Sequence, residues 1–482
     1  MEEFKLYING AWTATESGSV RDDLNPADNS VMAKVHMAGP AEVEAAIQAA
    51  QTAFPAWAAM LAADREKLLL KAADYMEANT ERFAGYLIDE SGSCFMKAMD
   101  EVGQSVNIIR AAAGECRRVE GGVCPPEADG QVNTYIRKPL GVIGGIAPFN
   151  YPLLLALNKV ALALAAGNTF ILKPASDTPI SGLIIAECFH EAGLPAGVLN
   201  VVPGSGGVVG DTLVNDPRVK MITFTGSTEV GTRIGRECAA RLKRVTLEMG
   251  GKNPMIVLKD FDVDRAVSIA AFGAFFHQGQ ICMCTSRIIT EAPSYDALCQ
   301  KLADKAKGLK MGDPHDQGTI IGPLINDTHY KLVDELISDA VEKGARVLCG
   351  GGHQGAFYEA TVVADVTPEM RIFHEECFAP VVCVVRAKDA EDALRLCNDN
   401  TYGLSSALLT NDMNLALTLA PRMEAGMVHV NDTTVMGSRR APFGGVKNSG
   451  MGREDSHFSI EEFTELQWIT YQTKPLFYPT DL

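Results

Sequence analysis

Between Gly141 and Met249 the chain repeats one pattern: a short apolar strand, a loop, a helix, and a strand again. GVIGGIA, NTFILKP, VLNVV, KMITFT and KRVTLEM read as strands. The stretch 153–166, ISGLIIAECFHEA, GGVVGDTLV and TEVGTRIGRECAA read as the helices between them. A strand that is apolar on both faces must be covered on both, and alternation with helices supplies that cover. The expected architecture is a parallel, Rossmann-like α/β sheet with helices on either side. From Pro254 a second alternation (NPMIVL, DVDRAVSIAAFGAFFHQ, RIIT, SYDALCQKLADKAKGL) continues to about Met427 and predicts a second α/β unit. A length of 482 residues accords with more than one core.

The flanks differ. Residues 40–120 carry apolar residues at three and four spacing in AEVEAAIQAAQTAF and DREKLLLKAADYMEA, which predicts helices. CPPEADGQVNTYIRKP (124–139) and LQWITYQT (466–473) alternate with period two and predict extended ribbons. Ribbons of this kind are marginal alone. Strand addition to another subunit and an edge position in the same chain both satisfy them. The N-terminal MEEFKLYING is acidic and then strand-like, unlike a signal peptide. The longest apolar candidate, LLLALNKVALALAAG, is broken by Asn158 and Lys159, so no membrane span is expected. Cytoplasm is the expected location.

Composition excludes other classes. A net charge of −17 disfavours nucleic acid as a partner. The twelve cysteines show no framework of spacings and read as buried, reduced thiols. Cys282 and Cys284 stand one residue apart in HQGQICMCTSR, with no second pair at ligand spacing, which argues against a metal site.

In a parallel sheet ligands bind beyond the carboxyl ends of the strands. Four loops occupy such positions: APFNYP (147–152), KPASDTP (173–179), PGSGGVVG (203–210, with Gly206 and Gly210) and FTGSTEVG (224–231). Gly226 lets backbone approach closely, Ser227 can donate to a phosphate oxygen, and the first helical turn favours an anion. Together with Lys173 at a strand end, these loops predict a dinucleotide site.

APFNYP, ILKPASDTP, FTGSTEVG, LEMGGKNP, GQIC, EECFAPV and PFGGVKNSGMGRE occur in the order and at the approximate spacings of one family. The chain resembles the aldehyde dehydrogenase superfamily over nearly its whole length. The resemblance implies oxidation of an aldehyde to the acid with NAD or NADP, through a thiohemiacetal and a thioester that water cleaves. By resemblance Cys282 is the nucleophile and Cys284 a bystander or pocket residue. Asn150 holds the oxyanion and Glu248 is the general base. The cofactor contacts fall on Ile146, Pro148, Phe149, Lys173, Ser176, Gly206, Gly210, Gly226, Ser227, Gly250, Glu376 and Phe378. Ser176 stands where the NAD-preferring pattern has Glu, so NADP is permitted and the choice between the cofactors stays open. His277 reads as a hydrogen-bonding neighbour of the site rather than a base.

By position, Tyr151, Leu155, Phe276, Met283, Met436, Gly437 and Phe443 line the aldehyde tunnel. Asn158 and Gly437, where relatives carry bulkier rings, imply a wider or more polar pocket. Arg439 and Arg440 are either anchors for an anionic aldehyde or solvated loop cations. FFHQGQICM resembles members acting on aromatic aldehydes such as benzaldehyde, salicylaldehyde and vanillin, whereas APFNYP is closer to members acting on small polar or anionic aldehydes. The implied domains are a cofactor-binding domain (1–123 and 141–249, with a returning segment near 446–465), a catalytic domain (250–430) and an oligomerisation ribbon (124–140 and 466–482). A homodimer or homotetramer is implied. The rival readings are acyl transfer to coenzyme A, a non-catalytic dinucleotide-binding relative, and a thiol hydrolase. Glu248 argues against the first, because coenzyme A-acylating members characteristically lack it.

Overall fold

The computed structural model describes residues 2–481. Met1 and Leu482, the outermost residues of the 1–123 and 466–482 segments, lie outside the described residues. The five expected strands are Val142–Ile146, Thr169–Lys173, Leu199–Val201, Val219–Thr225 and Arg244–Glu248. They lie side by side and parallel. Successive side chains face opposite ways, as a strand requires. Phe170 and Leu172 enter one core with Leu157, and Ile171 enters the other with Val209 and Ile222. Burying each such side chain contributes about 1.5–3 kcal/mol. A side chain on Gly145 would overlap the ring of Phe170 on the next strand, so the glycine there makes room for the core.

Strand order decides where a ligand can enter. From Val142–Ile146 the chain steps outward to Leu199–Val201, then returns to the other side for Val219–Thr225 and Arg244–Glu248. Loops leaving Ile146 and Thr225 therefore diverge at a switch point. Antiparallel strands extend both edges: Leu6–Ile8 and Ala11–Thr13 on one side, Gly450–Met451 on the other. Four helices, Pro40–Ala59, Ala62–Ala78, Thr80–Ser91 and Phe95–Glu115, fill the region read as helical.

The second α/β unit is a seven-stranded sheet running Arg346–Cys349, Thr361–Ala364, Val381–Ala387, Thr285–Glu291, Asn253–Val257, Ser405–Leu409, Met427–Val430. All its strands are parallel except the first. Residues 249–252 are buried and join the two sheets directly. The carboxyl end of Arg244–Glu248 thus meets the start of Asn253–Val257, beside Thr285. The segment around Gly450 closes over this join: Met249 N–H donates to the Ser449 carbonyl (2.9 Å), and Ser449 Oγ donates to the Gly250 carbonyl (2.8 Å).

The two predicted ribbons pair with each other. Thr464–Gln472 runs antiparallel to Gln131–Pro139 in continuous register from Thr464↔Pro139 to Gln472↔Gln131, and Gly122–Cys124 forms the outer edge. That position explains one departure from the buried-thiol expectation. Cys124 is exposed on the edge strand, Cys282 is half-buried, and the other ten cysteines are buried; all twelve are free. Among the described residues no helix is long and apolar enough to cross a membrane.

Candidate active site

The loop that carries Cys282 enters the site through three successive left-handed residues, His277 (φ 51), Gln278 (φ 45) and Gly279 (φ 70). The two that are not glycine cost about 1–3 kcal/mol each and persist only where their surroundings over-determine them. They are held from several sides. Gln278 Nε2 donates to the carbonyls of Gly92 (3.0 Å) and Pro323 (2.9 Å), and Gln278 Oε1 accepts from Gly322 N–H (3.3 Å). Gln280 Oε1 accepts from Ile325 N–H (3.1 Å). A Cβ on Gly279 would overlap the Ala379 carbonyl. Beyond the thiol, Asn253 Nδ2 donates to the carbonyls of Cys282 (2.8 Å) and Cys284 (3.0 Å), while Asn253 Oδ1 accepts from Ser405 N–H (3.0 Å). One side chain at the first position of the second unit therefore fixes the Cys282 loop.

The two thiols part company in this turn. Cys282 is half-buried and lines an open cavity; Cys284 is buried and its Sγ donates to the Ala274 carbonyl (3.4 Å). Burial, and then the charges of Glu248 and Glu376, push the Cys282 thiol up to about 12. Burial of this kind favours the neutral thiol over the thiolate.

Asn150 is buried, with Nδ2 donating to the Gln280 carbonyl (2.9 Å), so one amide hydrogen braces the Cys282 loop and one is left. Its own carbonyl accepts from His277 Nε2 (2.8 Å) and from Lys97 Nζ (2.8 Å). Lys97 is fully buried, pairs with Glu101, donates to Ser93 Oγ (2.9 Å) and lies 4.2 Å over the Tyr151 ring. Glu101 Oε1 in turn accepts from the N–H groups of Leu153 (3.0 Å) and Leu154 (3.1 Å), at the start of helix Leu154–Ala165. Burial pushes His277 well below its usual range, so it is neutral and acts through its hydrogen bond.

Glu248 ends its strand in a buried position, and neither carboxylate oxygen has a hydrogen-bond partner among the described residues. Burial, reinforced by the nearby Glu454 charge, raises it well above the usual carboxylate range. Glu454 itself pairs with Lys159 and accepts from Asn158 Nδ2 (3.1 Å).

Most of the predicted cofactor residues lie in the loops at the carboxyl ends of the first sheet's strands, and Glu376 and Phe378 come from the second unit. Lys173 is buried, and among the described residues its ammonium donates only to the Pro174 carbonyl (3.0 Å); burial lowers it to about 8. Two donors are thus unused in a place without bulk water. Gly210 lies beside Ile146 and Lys173, whereas nothing crowds Gly206. Gly226 lies against the Phe224 ring, and Ser227 Oγ accepts from Val230 N–H (3.4 Å), capping helix Thr228–Ala239 and keeping its own O–H free to donate. Glu376 accepts from Gly251 N–H (3.1 Å) and is raised to about 7 by burial. A Cβ on Gly250 would overlap that carboxylate. Phe378 (φ 51) packs edge-on against Phe149 at 5.7 Å, and His329 completes an aromatic cluster with both. Pro148 and Ser176 are half-buried. Buried donors and acceptors with unused capacity, a capped helix start and an aromatic face together fit a dinucleotide.

The aldehyde dehydrogenase family model matches residues 12–469. The chain belongs to the aldehyde dehydrogenase family. It is 42% identical to the vanillin dehydrogenase of Corynebacterium glutamicum, over 96% of this chain and 97% of that protein. It is 41% identical to a benzaldehyde dehydrogenase [NAD(+)] of Pseudomonas putida, over 96% of this chain and 95% of that one. A salicylaldehyde dehydrogenase from Pseudomonas putida G7, solved with salicylaldehyde, superposes with a TM-score of 0.97 at 38% identity, over 99% of this chain and 100% of that chain. The chain is an NAD(P)-dependent aldehyde dehydrogenase: it oxidises an aldehyde to the carboxylic acid.

In this aldehyde dehydrogenase the Cys282 cavity has a volume of about 280 Å³. All seven expected pocket residues line it: Tyr151, Leu155, Phe276, Met283, Met436, Gly437 and Phe443. Sequence reasoning missed Phe272, which stacks on Phe276 at 4.9 Å, and Asp100 and Gln104 on helix Phe95–Glu115. The one-turn spacing from Phe276 back to Phe272 was a usable signal. Asn158 is a correction: it is not on the cavity wall, because Glu454 holds it in the core beside Lys159. The two loop arginines also separate. Arg439 lines the cavity, and Arg440 lies away from it, near Arg118 and Arg137.

Lys97, Glu101, Asn253 and Gln278 were missed as well. A Lys and a Glu four apart on the apolar face of a helix was the available signal for the first pair.

Proposed function

We propose that this aldehyde dehydrogenase acts on aromatic aldehydes, with Cys282 as nucleophile, Asn150 as oxyanion donor and Glu248 as general base. The observation that carries the reading is the single cavity in which the Cys282 thiol meets the rings of Tyr151, Phe272, Phe276 and Phe443. A cavity of about 150 Å³ lined by apolar side chains holds benzene, so 280 Å³ takes a substituted ring. The relatives that act on vanillin and benzaldehyde support the same substrate class.

In this reading Cys282 Sγ bonds to the aldehyde carbon as the thiol passes its proton to solvent water. The remaining amide hydrogen of Asn150 and the backbone N–H of Cys282 receive the negative oxygen. Bound NAD(P) supplies the two-electron acceptor for the C–H of the adduct. Lys173 and Ser176 would hold the ribose of the adenosine, Ser227 and the helix start after Gly226 would hold phosphate, and Glu376 with Phe378 and Phe149 would hold the nicotinamide end. Glu248 then draws a proton from water as that water cleaves the thioester, and the cysteine is released.

The test is a panel of aromatic and short aliphatic aldehydes, each run with NAD and with NADP. Higher kcat/KM for ring aldehydes supports the reading; a preference for short aliphatic aldehydes overturns it. Ser176→Glu in the same panel is expected to lower kcat/KM for NADP by about tenfold or more relative to NAD, because a carboxylate there repels a 2′-phosphate. An unchanged ratio removes Ser176 from cofactor choice.

We also read 1–123 with 141–249 as the cofactor domain, 250–430 as the catalytic domain, and the ribbon as the assembly surface of a cytoplasmic homodimer or homotetramer. Trp468 on the ribbon is 71% exposed, and Val123, Leu466 and Tyr471 are exposed with it. Apolar surface gathered on an edge-bearing ribbon favours a covered position. Light scattering is expected to give a multiple of 51.7 kDa, and a monomeric mass overturns this assignment.

A further inference from the structure

Arg439 lines the Cys282 cavity, yet its guanidinium has no hydrogen-bond partner among the described residues. Its one ionic neighbour is Asp455 Oδ1 at 3.8 Å, beyond hydrogen-bond distance. The side chain is 28% exposed, so it is partly withdrawn from water, and its loose ion pair with the buried Asp455 leaves its hydrogen-bond donors unused. The wall beside it is open, since a Cβ on Gly437 would meet nothing within 4 Å. The rest of the cavity is mainly apolar, apart from Asp100 and Gln104 on helix Phe95–Glu115 and Cys282 itself. A planar fork of donors facing a cavity matches a carboxylate, which accepts two parallel hydrogen bonds.

We propose that Arg439 is a specificity residue that binds a carboxylate carried by the aldehyde substrate, remote from the reacting carbonyl. The proposal rests on the assignment of this cavity as the aldehyde site and narrows its substrate class to ring aldehydes with an anionic substituent. Arg440, which does not line the cavity, has no part in it.

The test compares 3- and 4-carboxybenzaldehyde with their methyl esters, in the native enzyme and in Arg439→Gln, with benzaldehyde as the reference within each enzyme. A charge-assisted contact predicts a native acid-to-ester ratio of kcat/KM of about tenfold or more for at least one isomer. That ratio is expected to collapse in Arg439→Gln and to be partly restored in Arg439→Lys. Raising ionic strength should raise KM for the acid and leave the ester's KM unchanged in the native enzyme only. An acid-to-ester ratio that is the same in the native and Gln enzymes overturns the proposal. A straight-chain ω-carboxy aldehyde is the second arm. If it alone is turned over, and with the same dependence on Arg439, the anion site stands and the aromatic reading fails. If ring aldehydes are turned over with no dependence on Arg439, the aromatic reading stands and the anion site fails.

Discussion

Cys282→Ala is expected to lower aldehyde oxidation by at least about a thousandfold, the scale on which removal of a nucleophile acts in enzymes whose groups work as a unit. The reason is chemical: without a sulfur adduct the planar aldehyde carbon has no negative oxygen to expel its hydrogen. Rapid mixing should lose the early burst of reduced nicotinamide, while nucleotide binding, followed by quenching of intrinsic fluorescence, remains. The side chain is small and half-buried, and the loop around it is fixed through Asn253, Gln278 and Gln280, so the fold has no dependence on the sulfur. Cys284→Ala is the internal control. Its thiol faces the Ala274 carbonyl, and its loss should leave the burst in place. A full burst in Cys282→Ala, or its loss in Cys284→Ala alone, would transfer the nucleophile's role to the neighbouring thiol.

Glu248→Gln separates the two halves of the reaction. Steady-state turnover is expected to fall by about 10²–10⁴-fold, the range for loss of a positioned base. The burst should survive if the base serves thioester hydrolysis, and the trapped acyl group should appear as added mass on Cys282. The pH dependence follows from the same side chain. Burial and the Glu454 charge raise Glu248 above the ordinary carboxylate range, so the active, ionised form is lost as pH falls through that raised value. Native activity should therefore rise with pH along an acid limb displaced upward from that of an exposed Glu. The Gln variant should lack this limb. If the limb is unchanged in Glu248→Gln, another group delivers the water.

The local motifs made a good part of this enzyme legible. A strand that is apolar on both faces announces itself in five residues, and the strand-end loops follow directly from it. Cys282, Glu248 and Asn150 stand out as candidates because each sits within a short stretch resembling the family's, where neighbouring residues supply the context. Lys97 and Asn253 were not visible in this way. Lys97 reaches the Asn150 carbonyl across 53 positions, and Asn253 reaches Cys282 across 29. Nothing within one helix turn or strand pleat signals such a contact. The left-handed conformations of His277 and Gln278 were equally hidden, since neither residue type calls for φ > 0; the partners that hold them lie far along the chain.

Sequence by itself determined that there are two parallel α/β units, because hydrophobic period and turn chemistry act over a few residues. It also marked which residues are candidates for the chemistry. Only the tertiary structure decided which way long polar side chains point. Asn158 was free to face the pocket until Glu454, itself paired with Lys159, held it in the core. Arg439 and Arg440 are adjacent and chemically equal, yet one lines the Cys282 cavity and the other does not. The ribbons could have sought another subunit, and their nine-residue register joins them to each other first. In each case the outcome depends on which partner is packed within a few ångströms, and that is a property of the assembled chain rather than of its order.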